Sequence, residues 1–362
     1  MEQNLRNLTD SLVTDCLVYR GGPLIIIADN RSLDIGQSIL ESVEETETCI
    51  EKAPCLINLD NYRKGKPLTS LPKELRQEFE SRLEKGDEEH NTILYICHRL
   101  DGERPMTREI MKIGEAHGKM GGLPSCTIDV LTAAFHPSNV SAFSKELYDF
   151  LSTEEEILLT CDRGTNLIIR MDHNKYNLVN SNGVLIPGKY GNPIPAEVYA
   201  HPVSADGQLV ISGSYGPLMS HERFIGKFDA LLQTLDKSPI KWSIRDDKVT
   251  DVYCEDEEIE NFVKKEVFEL DAEYGSRVGE IGLPANLYVL SHKMTGNLLI
   301  DEKGRVHLAH GDGYKKRTAC EYETTVHGDG LVGSATLISG KLGQPFMKDN
   351  EYSPEIFKTL RK

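Results

Sequence analysis

Along the first third of the chain, apolar residues fall into short unbroken runs separated by amphipathic stretches. Leu24-Ile25-Ile26-Ile27-Ala28 follows Gly21-Gly22-Pro23. So short a run without polar alternation predicts a strand buried on both faces, as in a parallel sheet. Cys55-Leu56-Ile57-Asn58-Leu59 and Thr92-Ile93-Leu94-Tyr95-Ile96-Cys97 repeat the pattern. Between them the spacing turns helical: Ile35, Ile39, Leu40 and Val43 share one face of a helix over 34–45. A charged helix is expected from Pro72 to about Lys85, with proline in the first turn and Gly86 beyond the end. A third helix is expected over 107–119, capped by Thr107 and stopped near Gly121-Gly122. Strand alternating with helix predicts an open, mainly parallel α/β sheet.

From about Leu158 the pattern changes to short strands broken by Asn, Gly and Pro. Gly164-Thr165-Asn166-Leu167-Ile168-Ile169 opens this region, and Asn180-Ser181-Asn182-Gly183 and Asp206-Gly207 read as hairpin turns. One charged helix interrupts it over 255–268, with Ile259, Phe262, Val263 and Val267 on one face. Strands are expected again at 298–300, 306–308 and 324–326, and the tail after Gly340 as a surface wrap ending in a short helix. The expected organisation is an α/β domain over residues 1–155 and a strand-rich α+β domain over 156–362 that carries the functional site.

Composition narrows the function classes. The formal net charge is -16, so no nucleic-acid partner is expected, since phosphate neutralisation demands clustered Lys and Arg. No apolar stretch approaches the ~20 residues needed to span a bilayer. Met1-Glu2-Gln3-Asn4 lacks a basic region followed by an apolar core, so a soluble cytoplasmic protein is expected. The eight cysteines include no Cys-x-x-Cys pair, and buried free thiols are expected in place of a zinc ribbon. Gly21-Gly22 precedes the first strand instead of following it, so no dinucleotide fingerprint is present.

The chemistry concentrates in the last quarter. Glu280 lies in Gly279-Glu280-Ile281-Gly282, and His307, His310 and Asp312 in Val306-His307-Leu308-Ala309-His310-Gly311-Asp312-Gly313-Tyr314. His327 and Asp329 follow in Val326-His327-Gly328-Asp329-Gly330. Imidazole and carboxylate together suit zinc, manganese, cobalt or ferrous iron. Residues two apart on a strand share a face, so His327 and Asp329 converge there, with Gly328 leaving room. An ionised Glu280 between glycine and isoleucine is a poor core residue unless paired or metal-bound. Glu197, in Pro195-Ala196-Glu197-Val198-Tyr199-Ala200-His201-Pro202, has a similar setting. A tyrosine such as Tyr314 beside a metal can donate to a developing oxyanion. His98, His136, His173 and His292 show no ligand spacing.

These segments resemble, in the same order, those of the metallo-aminopeptidases of the thermophilic aminopeptidase T type. The segment around Glu197 is similar to that family's Gly-Glu-Val-Phe-x-x-Pro, and Glu280 lies in a match to its Glu-Leu-Gly-Ile-Gly. His307 and Tyr314 lie in a match to its His-Ile-Ala-Leu-Gly-x-x-Tyr. His327-Gly328-Asp329 is similar to its closing His-x-Asp, and Gly164-Thr165-Asn166-Leu167 to its Gly-Thr-Asp-Leu. The resemblance spans roughly residues 90 to 335. It implies a hydrolase with two divalent ions, zinc, cobalt or manganese, held by Glu197, Glu280, His307, His327 and Asp329. Tyr314 would be the catalytic hydroxyl and Glu197 would orient or deprotonate the attacking water. The substrate would be a small peptide, and a homodimer follows by analogy. The chain departs from the pattern at Ala196, at His310 in place of leucine, at Asp312, and in the basic run Lys315-Lys316-Arg317, read as solvated or as meeting a substrate carboxylate. A sister branch, the 2,5-dihydroxypyridine 5,6-dioxygenases, implies the alternative: one Fe(II) ion and oxidative chemistry on a small molecule, with His307, His327 and Asp329 as the triad. Retention of both Glu197 and Glu280 favours two metals, because one ion would leave a glutamate without a neutralising cation.

Overall fold

The computed structural model describes residues 2–46, 53–83, 89–98, 100, 102–124, 127, 131, 137–224, 226–291 and 293–361. Cys49, Cys126, His136 and His292 lie outside these residues. The chain forms two compact units, Met1–Pro137 with Ser181–Pro195, and Ser138–Asn180 with Ala196–Lys362. No helix among the described residues is long and apolar enough to cross a membrane.

The first unit is built on the expected parallel sheet. Its central strand, Leu24–Ala28, pairs with Cys55–Asn58 on one side and Thr92–Tyr95 on the other. Lys119–Gly122 and the two-residue strand Tyr190–Gly191 extend the sheet, also in parallel. Helices Leu33–Thr46 and Lys73–Arg82 stand close to their expected places, with Pro72 as N-cap of the second. The third helix starts earlier than its expected cap, at Arg104, with proline in its first turn. Thr107 is inside it, its hydroxyl donating back to the Glu103 carbonyl at 3.1 Å. Lys119, expected at the helix end, opens a strand, because Gly118 has already broken the helix with an extended backbone.

The second unit holds two antiparallel sheets. The larger has eight strands in the order 248–253, 240–245, 204–211, 166–170, 156–160, 336–339, 345–348 and 351–352. The smaller has six, in the order 214–215, 327–331, 307–311, 278–284, 197–200 and 178–181. Inward-facing residues of both sheets form one apolar core that includes Trp242, Leu209 and Ile169 of the larger and Leu308, Ile281 and Val198 of the smaller. Helix Glu257–Phe268 adds Ile259, Val263 and Val267, with Asp256 capping its N-terminus through the Ile259 N–H at 3.3 Å.

Several expected elements differ. Asp206-Gly207 lies within the strand Ser204–Ile211. Gly207 is required there because a Cβ would stand 2.2 Å from the Asn166 carbonyl oxygen of the neighbouring strand; the glycine marks close strand approach. A hairpin instead forms between Ile240–Arg245 and Lys248–Tyr253, where Asp246 and Asp247 both take left-handed backbone angles. Leu298–Asp301 is a helical turn, since the Asp301 carboxylate collects the N–H groups of Thr295 and Gly296 at its start. The last site strand begins at His327 and not at Thr324. The tail forms strands Pro345–Lys348 and Glu351–Tyr352 on the larger sheet, and ends in a 3-10 turn over Lys358–Leu360.

Candidate metal centre

Four adjacent strands of the six-stranded sheet bring the expected donors together. Register places Glu280 opposite Ala309 and Ala309 opposite Asp329. One row across three strands therefore carries a carboxylate at each end and only a methyl group between them. In the next row Gly282 lies opposite His307, and the absent side chain makes space for the imidazole: a Cβ on Gly282 would stand 2.1 Å from His307 Nε2. Glu197 enters from the far side, opposite Pro284. A bulge at Gly279 shifts the register just before Glu280; such bulges re-aim a neighbouring side chain. Gly279 lies against the Gly311 and Asp312 carbonyls, which a Cβ would meet at 2.5 Å.

The side chains converge through their outer atoms. Glu280 offers Oε1 to His307 Nε2 at 3.7 Å and Oε2 to His327 Nε2 at 3.8 Å. Asp329 Oδ1 stands 3.1 Å from His327 Nε2. Glu197 Oε2 is 3.7 Å from His307 Nε2 and, though buried, accepts no hydrogen bond. Each imidazole is oriented through its other nitrogen: His307 Nδ1 donates to the Arg305 carbonyl at 3.2 Å and His327 Nδ1 to the Asp312 carbonyl at 2.9 Å. Backbone carbonyls that fix Nδ1 in this way turn Nε2 into the cluster, the usual support for a metal-ligating histidine.

Two residues of the cluster escape sequence reasoning. Lys303 is wholly buried, its ammonium donating to Glu197 Oε1 at 2.5 Å and Glu302 Oε1 at 2.7 Å. The turn after helix Leu298–Asp301 holds it: the Lys303 N–H donates to the Ile300 carbonyl at 2.9 Å, and its own carbonyl accepts from Asn286 at 3.2 Å. The run Asp301-Glu302-Lys303-Gly304 reads as a solvated charged turn, and only its position just ahead of the His307 strand hints otherwise. Lys303 also removes the expectation that one metal would leave Glu197 uncompensated, since the ammonium already neutralises part of that carboxylate.

The charges are unbalanced. Glu197, Glu280, Glu302 and Asp329 face one fixed ammonium, so the cluster needs further positive charge. In the metal-free protein the imidazoles supply it. Burial works against protonation of both, but Glu280, Asp329 and Glu197 around His307, and Asp329 and Glu280 around His327, outweigh it and push both up to about 10. Burial, with Glu197 and Asp329 adding to it against Lys303, raises Glu302 to about 8. Burial opposes ionisation of Asp329, yet His327, His307 and Lys303 hold its carboxyl well below the usual range. Three overlapping sets of donors could hold a cation: Glu197, Glu280 and His307; Glu280, His327 and Asp329; and Glu302, His307 and Asp329. Their ligand atoms lie within 4.8 Å of one another in each set, and the unsatisfied Glu197 Oε2, with two Nε2 atoms turned towards carboxylates, fits the residues to a divalent metal.

Tyr314 stands at the edge. Its backbone is left-handed, with φ 56°, uncommon for a bulky residue and a mark of imposed strain. Its hydroxyl lies 3.2 Å from His327 Nε2, and the residue as a whole is partly exposed. Lys315 and Lys316 are exposed, whereas the Arg317 guanidinium donates to the Tyr199 hydroxyl at 3.2 Å beside the cluster. His310 is on the opposite face. Buried against Trp242, it bonds the Gly275 carbonyl at 2.8 Å and the Tyr215 hydroxyl at 2.7 Å. Burial lowers it to about 4, so it is a neutral core histidine. Asp312 serves locally, accepting the Tyr314 N–H at 3.3 Å.

No protein-family model and no curated protein matches the sequence. Solved structures do match it in fold. The 2,5-dihydroxypyridine dioxygenase of Pseudomonas putida superposes with a TM-score of 0.65 at 11% identity, over 98% of this chain and 98% of that one. Wild-type AmpT from Thermus thermophilus superposes with a TM-score of 0.66 at 14% identity, over 97% of this chain and 99% of that one. The chain therefore has this full-length two-part architecture, parallel sheet and antiparallel sheets together.

Proposed function

We propose that the chain is a divalent-metal-dependent amide hydrolase that releases the N-terminal residue of small peptides. The observation that carries this reading is Glu280, which turns one carboxylate oxygen towards His307 and the other towards His327. No set of donors contains both imidazoles: His307 belongs to two of the three sets and His327 to the other, and Glu280 stands in one set with each. A carboxylate so placed could serve two cations. Glu197, Glu280 and His307 would hold one ion, and Glu280, His327 and Asp329 the other. Zinc, cobalt or manganese suits such mixed imidazole and carboxylate donors. When bound, such ions supply a water of lowered pKa and polarise the scissile carbonyl.

The remaining work falls to side chains. Glu197, whose Oε1 is held by Lys303, presents Oε2 beside His307, where it would ligate the cation and so position the attacking water. Tyr314 donates its hydroxyl proton to the oxygen that becomes negative. Burial, with Glu280, Asp329 and Glu302 nearby, holds that phenol proton well above its ordinary range, so the group remains a donor. The order and content of the matched segments support an amide substrate; the fold is shared alike with the dioxygenase and with AmpT and favours neither. The competing arrangement is one ferrous ion on His307, His327 and Asp329, and the split of the imidazoles between different sets weighs against it.

The test uses the purified chain, stripped with chelator and reloaded separately with zinc, cobalt, manganese or Fe(II). Leucine p-nitroanilide and Leu-Gly are offered in air and under argon. Turnover with one of the first three ions, equal in both atmospheres and lost in Glu280→Ala at unchanged metal-free melting temperature, is the expected result. Oxygen uptake with a dihydroxypyridine on the Fe(II) form, and no amide cleavage with any ion, would replace this reading with the oxidative one.

A further inference from the structure

Lys303 is the feature of the cluster that neither the donor sets nor the catalytic groups explain. Fully buried lysines are rare and need partners. This one has two, Glu197 and Glu302, at 2.5 and 2.7 Å. Glu197 is the carboxylate it shares with the cation set of Glu197, Glu280 and His307. The other set, Glu280, His327 and Asp329, contains neither of its partners, and the ammonium reaches Asp329 only through space. The ammonium thus touches a ligand of one cation position and acts on the other only at longer range.

We propose that Lys303 is a built-in cation that makes the two metal positions unequal, so that the ion at Glu197 and His307 exchanges readily while the ion at His327 and Asp329 is retained. This rests on the metal reading given above. Two effects act in the same direction. The ammonium occupies Glu197 Oε1, leaving one oxygen of that carboxylate for a metal. It also places a unit positive charge a single carboxylate away from an incoming dication, in a dry site where repulsion is weakly screened. Glu302 offsets part of this charge, and its own approach to His307 and Asp329 ties the lysine into the cluster. Removing the charge while keeping the volume returns Glu197 whole to the metal.

Mn2+ titration of the chelator-stripped full chain, followed by the electron paramagnetic resonance signal of free Mn2+, reads both stoichiometry and affinity without any assay of turnover. Wild type is expected to take two ions with dissociation constants at least about tenfold apart. Lys303→Met should tighten the weaker class by roughly tenfold or more and leave the tighter class within about threefold. Lys303→Arg, which keeps the charge, should retain the inequality. His307→Ala should abolish the weak class and His327→Ala the tight one, which tests the assignment even if Lys303→Met does not fold. A weak class unmoved or loosened in a folded Lys303→Met, two equal classes in wild type, or loss of the tight class in His307→Ala would overturn the inference while the metal reading stands. A wild-type chain that binds no Mn2+ or Zn2+ would overturn both.

Discussion

A phenol that donates only when charge develops should matter to rate and not to binding. Tyr314→Phe keeps the ring, which packs 4.9 Å from the His327 ring centroid and 5.9 Å from that of Tyr199, and removes only the hydroxyl. Loss of one oxyanion donor typically costs about 10²–10³ in kcat. That loss, with KM held within about threefold, is expected in steady-state kinetics on leucine p-nitroanilide. A raised KM at unaltered kcat would make Tyr314 a binding contact instead. Residue chemistry was legible in the sequence where it contradicted its surroundings. Glu197 and Glu280 stand out as carboxylates among apolar neighbours, and His327 and Asp329 share strand parity, so that pair could be read from alternation; the gathering of Glu197, Glu280 and His307 with it was implied only by the resemblance to the aminopeptidases. The same parity separates His310 from His307, three residues away, and sends it into the core beside Trp242. Glu302 and Lys303 were not legible, because a charged turn ahead of a strand is ordinarily solvated and their burial depends on packing from Asn286 and Glu197.

At the scale of elements, the site is a matter of register. Four strands carry donors on one face, and the positions between them include Ala309, Gly282 and Gly311, so the face stays open where the imidazoles stand. Gly282→Ala probes this directly. Its new methyl would meet Cε1 and Nε2 of His307, both at 2.1 Å, and ring displacement is the cheapest relief. The variant should fold, lose roughly 1–3 kcal/mol to overpacking, and bind Mn2+ at the His307 position at least about tenfold more weakly. Calorimetric melting of the metal-free form and Mn2+ titration together read both effects; unaltered metal binding would show that His307 is not held by this row. Gly328→Ala presses on the other face, where a Cβ would meet His310 Nε2 at 2.4 Å. Strand existence was legible from apolar runs and alternation. Register was not: the bulge at Gly279 sets which residue faces Ala309, and a glycine beside a glutamate gives no sign of it. Nor could Asp206-Gly207 be told from a hairpin turn, since the glycine answers to Asn166, forty residues away in the chain.

For the molecule as a whole, the donor cluster couples metal content to stability. In the metal-free protein His307 and His327, both held near 10, keep protons that the unfolded chain releases above about 6.5. Their contribution is fully present below that value and disappears as pH rises towards 10. Glu302, raised to about 8 by burial, acts in the same direction, since the folded state keeps its proton above the unfolded carboxyl value. Asp329, held low, contributes at any pH above the ordinary carboxylate range and loses its effect only in acid. Chelated protein should therefore lose more than about 5 °C in melting temperature between pH 6.5 and 9. Metal-loaded protein should not, because dications replace the protons and bind better as the imidazoles deprotonate. Differential scanning calorimetry of both forms across that range measures the difference; parallel curves would mean that no ion occupies the cluster. The transition that responds should be that of the second unit, which holds every donor. How the chain is parcelled into units was only partly legible. A change of texture near Leu158 marks the antiparallel sheets, but the segment 181–195 belongs to the first unit and brings it the strand Tyr190–Gly191. Two residues carry no periodicity to read, so their place on the parallel sheet is fixed by contacts with Lys119–Gly122 that only the folded chain makes.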